Sequence, residues 1–133
     1  MKKTNFIVLL IVIALVIWGF VSISPNLKGF YQSEVNGYHI QMLIREEDNS
    51  FVKWIDNRVV DRGIYEKVDT NSYRIKSNKQ NFEIILNGDN SFEIVINKLN
   101  DERPIIMKNI TTDDHKVSFG NWDDVDEYES LLD

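Results

Sequence analysis

Between residues 30 and 110, apolar and polar side chains alternate, and turn-forming residues recur at intervals of about ten. This period of two is typical of β-strands that bury one face, and the regular turns are typical of antiparallel sheets. We therefore predict an all-β fold, an antiparallel meander of about eight short strands with no helix among them. Because only closure removes every strand edge, a barrel-like or strongly curved sheet is favoured over an open sandwich.

Three turn signals predict much of the strand order. Asn36-Gly37 separates two alternating segments, and this dipeptide is the strongest short signal for a hairpin. Asp56-Asn57 can reverse the chain in a similar way. The third hairpin is the clearest, because residues 81–87 and 91–97 are near copies joined by a polar turn. Two apolar rows are predicted to stack across its ladder: Phe82, Ile84 and Leu86 against Phe92, Ile94 and Ile96.

Two short motifs open predicted strands with a glycine two residues before a tyrosine. They are Gly29-Phe30-Tyr31 and Gly63-Ile64-Tyr65. A glycine at such a site allows a bend or a bulge. The pair resembles the glycine–aromatic motif in the first strand of lipocalin-like barrels, and this resemblance implies a barrel-like architecture. It does not imply a ligand cavity, since side chains can fill a barrel of eight short strands.

The N-terminal residues 1–24 are predicted to form a single transmembrane helix. Lys2 and Lys3 precede the run Phe6–Ile23, whose 18 residues are apolar except for one glycine and one serine. As a helix, this run would extend over about 27 Å at ~1.5 Å per residue, close to the ~30 Å of a hydrocarbon core. A retained anchor is favoured over a cleaved signal peptide, because Pro25 follows the best small-x-small cleavage site.

The charges around this apolar run predict its orientation. The two N-terminal lysines have no acidic neighbour, and Lys28 is the one positive charge close to the other end. Because cytoplasmic flanks carry the excess of lysine and arginine, the N-terminus is expected in the cytoplasm and the domain after the run outside. Phe6, Trp18 and Phe20 are the residues expected to contact membrane lipid, the last two near the outer interface.

The remaining chain divides into a β-domain, residues 25–112, and an acidic segment, residues 113–133. The segment contains eight acidic residues and one lysine, a net charge of −7. Apolar residues recur in it at helical spacing, which predicts a short amphipathic helix over Trp122–Leu132 with Asn121 as its N-cap. A helix this short is stable only when docked, so it either packs on the β-domain or is presented to a partner.

This helix is the predicted partner-binding surface, and its charge suits a basic protein. The residues assigned to the contact are Trp122, Asp123, Asp124, Asp126, Glu127 and Tyr128. Nucleic acid is excluded as a partner, because its recognition needs a basic footprint and the chain carries a net charge of −6.

The sequence contains no motif that indicates catalysis or a cofactor. The absence of cysteine removes thiol catalysis, zinc–thiolate sites and disulfides. The two histidines, His39 and His115, are far apart in the sequence, and the acidic runs 46–48 and 113–114 are typical of solvated loop charges. We therefore expect no enzymatic activity, no cofactor and no metal site.

These features predict a single-pass membrane protein that displays a small β-domain outside the cell membrane. Its expected role is protein binding or envelope interaction, and immunity towards a toxin is one concrete version. The alternative is a lipocalin-like domain that binds a small apolar ligand, with the C-terminal helix over the mouth of the barrel. A composition of 17 isoleucines, 14 asparagines and one alanine favours AT-rich codons and a bacterial source.

Overall fold

Eight antiparallel strands run through residues 25–133, the part of the chain that the computed structural model describes. The predicted all-β fold is thereby confirmed. The strands are β1 (Gly29–Val35), β2 (Tyr38–Arg45), β3 (Ser50–Ile55), β4 (Arg58–Asp69), β5 (Ser72–Ser77), β6 (Asn81–Ile85), β7 (Phe92–Ile94) and β8 (Ile105–Thr111).

The strands follow one another around a nearly closed, barrel-like sheet. Their order is β6-β5-β4-β3-β2-β1-β8-β7, so that β8 returns to pair with β1. This is the order of an up-and-down barrel in which one ladder, between β6 and β7, is missing. The facing edges of these two strands meet at their connecting turn, where the Asn87 N–H donates to the Ser91 carbonyl at 2.8 Å. We call the gap between the two edges the seam.

Two of the three predicted hairpins are confirmed. Asn36 and Gly37 connect β1 to β2 with φ angles of 49° and 85°. Asp56 and Asn57 connect β3 to β4 with φ angles of 47° and 69°. Two successive left-handed residues give the turn the twist that adjacent strands need, which explains why asparagine, aspartate and glycine occupy these positions.

The third and clearest predicted hairpin, residues 81–97, does not form the expected ladder. Its two apolar rows lie largely on the inner face of the sheet, with Ile84, Phe92 and Ile94 buried. However, β6 pairs with β5 and β7 with β8, and within residues 25–133 no ladder joins β6 to β7. The prediction of a paired hairpin was therefore wrong. Long-range pairing satisfies one edge of each strand and leaves the facing edges apart.

A short helix also interrupts the strands, contrary to the prediction of none. Helix α1 (Asn97–Asn100) lies between β7 and β8 and buries Leu99, which is 4 % exposed. Its last turn is followed by Asp101 in the left-handed conformation, which ends a helix by turning the chain away. The sequence does not reveal this helix, because one apolar residue in four gives no readable helical period.

Inward-facing side chains fill the interior of the barrel. The fully buried members of this core include Tyr31, Phe51, Phe92, Ile40, Met42, Ile44, Ile55, Ile75 and Ile84. The Tyr31 ring packs on the Phe92 ring with centroids 4.8 Å apart, and its hydroxyl donates to Asn90 Oδ1 at 3.0 Å. Burial raises the pKa of Tyr31 to about 12.

The glycines of the two glycine–tyrosine motifs sit where neighbouring strands approach too closely for a Cβ. At Gly29, a Cβ would lie 2.6 Å from the Thr112 Cα, and φ is +99°. The β1–β8 register also shifts at the next residue, Phe30. At Gly63, a Cβ would lie 2.7 Å from the Ser77 Cα and 2.8 Å from the Phe51 ring. At Gly29 the glycine thus accompanies the irregularity that the sequence motif predicted. At Gly63 it permits the close approach of β4 and β5, with no register shift at this residue.

The predicted membrane anchor, residues 1–24 with Phe6, Trp18 and Phe20, lies outside the described residues. Among residues 25–133, no helix combines the length and the apolar character that crossing a membrane requires. The anchor and the location of the β-domain therefore remain predictions from the sequence.

Candidate functional site

The acidic segment first crosses the outer face of the barrel over β1, β2 and β3. Phe119 packs edge-on against Trp54, with ring centroids 5.3 Å apart, and also lies 6.4 Å from Phe30. Leu43 and Trp54 are only 2 % exposed although they point outward. The segment thus covers a second, small apolar cluster outside the barrel core.

The C-terminal helix is confirmed, but it begins later than predicted. Helix α2 spans Val125–Glu129 and continues as a 3₁₀ turn, Ser130–Leu132. Asp124 is the residue before its first turn and makes no side-chain capping bond. The predicted start at Trp122 and the predicted N-cap Asn121 were therefore wrong. The Asp124 carboxylate instead turns towards the β-domain.

Arg58, at the start of β4, fixes the segment in place. Its Nε and Nη2 atoms donate to the two carboxylate oxygens of Asp124, each at 2.9 Å. Its guanidinium also lies 3.8 Å from the Trp122 ring centroid and 4.6 Å from that of Tyr128. The hydrogen bonds with Arg58 hold the pKa of Asp124 below its ordinary value. A bidentate ion pair combined with cation–π contacts gives the guanidinium a well-defined position.

The apolar side of the helix closes one end of the barrel. Tyr128 meets Tyr38 edge-on at 6.4 Å, and Leu132 is 7 % exposed and belongs to the core. Gln80 Nε2 donates to the Leu132 carbonyl at 3.1 Å, and Lys98 Nζ donates to the Ser130 carbonyl at 2.8 Å. The sequence left open whether this helix packs on the β-domain or is presented to a partner. In the structure it packs on the β-domain.

Docking divides the six predicted contact residues into two groups. Trp122, Asp124 and Tyr128 contact Arg58, whereas the side chains of Asp123, Asp126 and Glu127 are exposed. We call these last three residues the acidic face. Sequence reasoning could not find Arg58, because this residue lies 66 positions before Asp124 and follows an ordinary turn.

We expect Arg58→Ala to release the C-terminal helix from the barrel. Amide hydrogen exchange in Val125–Leu132 should accelerate at least about tenfold, since a helix of this length is not stable alone. Arg58→Lys should give an intermediate rate, because lysine keeps the charge but loses the bidentate geometry. The matched control is Arg74→Ala, which removes an exposed ion pair with Glu66. Unchanged exchange in Arg58→Ala would show that the ion pair and stacking do not hold the helix.

A second feature lies at the seam, across the barrel from β2. A cavity of about 540 Å³ separates β6 from β7. Phe82, Ile94 and Lys53 line it from within the barrel, and the carboxylates of Glu83 and Glu93 lie at its rim. This volume lies within the range of roughly 300–1,000 Å³ that small-molecule pockets occupy.

Lys53 and Asp61 place a pair of opposite charges inside the barrel. They are ladder partners on β3 and β4 and are 1 % and 4 % exposed. Lys53 Nζ lies 4.9 Å from the centroid of the Phe82 ring. Asp61 Oδ1 accepts from the Arg62 N–H at 2.9 Å, but Oδ2 is buried with no hydrogen-bond partner among residues 25–133. Burial lowers the pKa of Lys53 to about 8, although the Asp61 charge opposes the shift.

Sequence reasoning missed this pair, although a signal for Lys53 was present. Phe51, Lys53 and Ile55 are two residues apart on one strand, and alternation places them on the same face. Phe51 and Ile55 are core residues, so the same parity directs Lys53 inward. Asp61 carried the same signal, because it lies four residues before the core residue Tyr65 on one strand; the β3–β4 register shift comes only before Asp61.

A third cluster brings Asp113, Asp114 and His115 together after β8. One ligand atom from each lies within 4.8 Å of the others, and the Asp113 carboxylate contacts the His115 ring. Such atoms could hold a cation, but Asp113 and His115 are exposed and their contacts are those of a solvated loop. The other histidine, His39, is exposed on β2, and the structure does not bring the two histidines together.

Comparisons with known proteins identify no relative: no family model, no curated protein and no solved structure matches the chain. The functional interpretation therefore depends on the geometry of the acidic face and of the seam.

Proposed function

We propose that the chain is a membrane-tethered binding protein that displays its β-domain outside the cell membrane. Its role is protein binding or envelope interaction, and immunity towards a toxin is one concrete version. The two N-terminal lysines and the apolar run Phe6–Ile23 support the tether and its orientation. The partner is a basic protein, and its contact surface is the acidic face.

The observation that carries this proposal is the fixed position of the acidic segment. Arg58 binds Asp124, Trp122 and Tyr128, so the acidic face projects from a docked helix and not from a loose tail. A surface that is ordered before binding loses less conformational entropy when a partner docks. The net charge of −7 over residues 113–133 would accelerate the approach of a basic partner at low salt.

The test neutralises the acidic face in the full-length chain in its own membrane. We expect the triple variant Asp123→Asn, Asp126→Asn, Glu127→Gln to lose about nine-tenths of its in-cell crosslinking to the partner, equivalent to about 1.4 kcal/mol of binding free energy. Removing Asn121–Asp133 should abolish the crosslink.

The control makes the same charge change at the other end of the barrel. This variant, Glu47→Gln, Glu66→Gln, Asp69→Asn, should keep the crosslinked partner at the original level. The proposal is wrong if both the acidic-face variant and the truncated chain fold normally and retain every crosslinked partner.

The alternative function is the binding of a small apolar ligand. The cavity at the seam supports it, because Phe82 and Ile94 offer apolar contacts there. The barrel interior itself is filled by side chains such as Tyr31, Phe51 and Phe92, so the ligand would have to bind at the seam.

A further inference from the structure

The facing edges of β6 and β7 are open to hydrogen bonding. Each strand has a ladder on one side, to β5 and to β8 respectively. Beyond the turn bond between Asn87 and Ser91, no ladder within residues 25–133 joins the facing edges. Strand edges with unpaired N–H and C=O groups are templates for another strand.

The surroundings of the seam are not those of a protected edge. Exposed apolar side chains lie beside it on the outer surface: Ile85 is 69 % exposed, Val95 46 % and Ile106 50 %. Protected edges usually carry lysine, proline or a covering loop. Neither β6 nor β7 contains a lysine or a proline. The lysine and the proline that line the cavity are Lys53, which is buried on β3, and Pro104, which precedes β8. The outer surface thus combines apolar contacts with open backbone groups.

The inner side of the seam would receive side chains from an added strand. Because successive side chains of a strand point to opposite faces, every second residue would enter the cavity above Phe82 and Ile94. The other residues would face outward, beside the exposed Glu83 and Glu93. Apolar residues fit the first position and basic residues the second.

We infer that the edge of β6 at the seam binds an extended segment of a partner protein in which apolar and basic residues alternate, and that this segment pairs as an additional strand. Main-chain hydrogen bonds supply affinity in this mode of recognition, and the alternating side chains supply specificity. The inference shares with the proposed function only the class of ligand, a protein. It uses a different surface from the acidic face.

The experiment uses the full-length chain in detergent micelles and a short synthetic peptide in which lysine and valine alternate. We expect bound peptide to slow amide hydrogen exchange in Asn81–Ile85 at least about tenfold. A peptide of the same composition with all lysines before all valines should bind at least about tenfold more weakly, because it cannot present one type of side chain to each face.

Variants of the protein test the charge contribution. The double variant Glu83→Lys, Glu93→Lys should lower the affinity for the alternating peptide about tenfold or more. The control Glu34→Lys, an exposed change on β1, should alter this affinity less than about twofold. Neutralising the acidic face should leave binding at the seam intact, which separates this inference from the proposed function.

Three results would overturn the inference. The first is equal binding of the two peptides, and the second is the absence of added protection in Asn81–Ile85. The third is uptake of a solvatochromic dye at the cavity without any binding of peptide, which would favour the small apolar ligand.

Discussion

Replacing Gly63 with alanine should lower the free energy of unfolding by about 3 kcal/mol or more, at the upper end of what overpacking usually does. The added Cβ would overlap the Lys76 carbonyl oxygen and lie 2.8 Å from the Phe51 ring. The first obstacle is the backbone of β5, which cannot rotate away as a side chain can. Relief would require β4 and β5 to separate, and this would disturb ladder pairing on both sides of Gly63.

The matched control is Gly88→Ala, in the turn between β6 and β7. A Cβ at Gly88 meets no atom within 4 Å. The free energy of unfolding of this variant should therefore lie within about 1 kcal/mol of that of the original chain. Urea unfolding of the full-length chain in detergent micelles, followed by circular dichroism, measures both. Equal stability of the two variants would mean that β4 and β5 are not as close at Gly63 as the structure has them.

Raising the pH from 7 to 10 should stabilise the fold by about 2 kcal/mol through Lys53. Burial lowers the pKa of this lysine to about 8, whereas an unfolded lysine has a pKa of about 10.4. Between these two values the unfolded chain binds more protons than the folded chain, so the free energy of unfolding rises with pH. Below pH 8 the folded protein keeps a charged ammonium inside the barrel, and the full penalty of burying it applies.

Two tyrosines set the upper limit of this pH window. Burial raises the pKa of both Tyr31 and Tyr65 to about 12, above the ordinary value of about 10. Above pH 10 the unfolded chain therefore loses phenolic protons first, and the free energy of unfolding falls as pH rises further. The contribution of Lys53 is consequently measured between pH 7 and pH 10.

The variant Lys53→Met should abolish the rise between pH 7 and pH 10. Methionine fills a similar volume without a titrating group, although it leaves the buried Asp61 without its opposite charge and should lower stability at pH 7. Lys108→Met, which replaces an exposed lysine on β8, should keep the rise. Urea unfolding at several pH values compares them. If the free energy of unfolding still rises between pH 7 and pH 10 in Lys53→Met, another titrating group causes the rise.

The alternation of residues predicted the β-domain well, because each strand buries one face and the pattern is local. The Asn36-Gly37 turn was predicted for the same reason, since its conformation depends mainly on two residues. Gly29 and Gly63 were also singled out, but the close contacts that require glycine there come from residues elsewhere in the chain, such as Thr112 and Ser77. The helix near the C-terminus was also predicted, but its first residue was not. Asp124 binds Arg58 in place of capping the helix, and a contact across 66 residues leaves no local pattern.

The seam is where local and tertiary preferences disagree most. Residues 81–97 have the strongest hairpin pattern in the chain, yet their strands belong to opposite edges of the sheet. Strand propensity cannot say which neighbour a strand will pair with, because the choice depends on how the whole sheet curves. Parity alone directs both Lys53 and Asp61 inward, but only the folded ladder shows that the two residues are partners across β3 and β4.

By itself, then, the sequence determined the class of fold, the approximate strands and the acidic C-terminal helix, and it predicts a membrane anchor. These follow from periodicity, turn chemistry and charge, which act over a few residues. The tertiary structure decided that the helix is docked through Arg58, that the barrel remains open between β6 and β7, and that Lys53 and Asp61 are buried together. Each of these depends on contacts between residues far apart in the chain, where packing and desolvation select one arrangement among several that the local sequence permits.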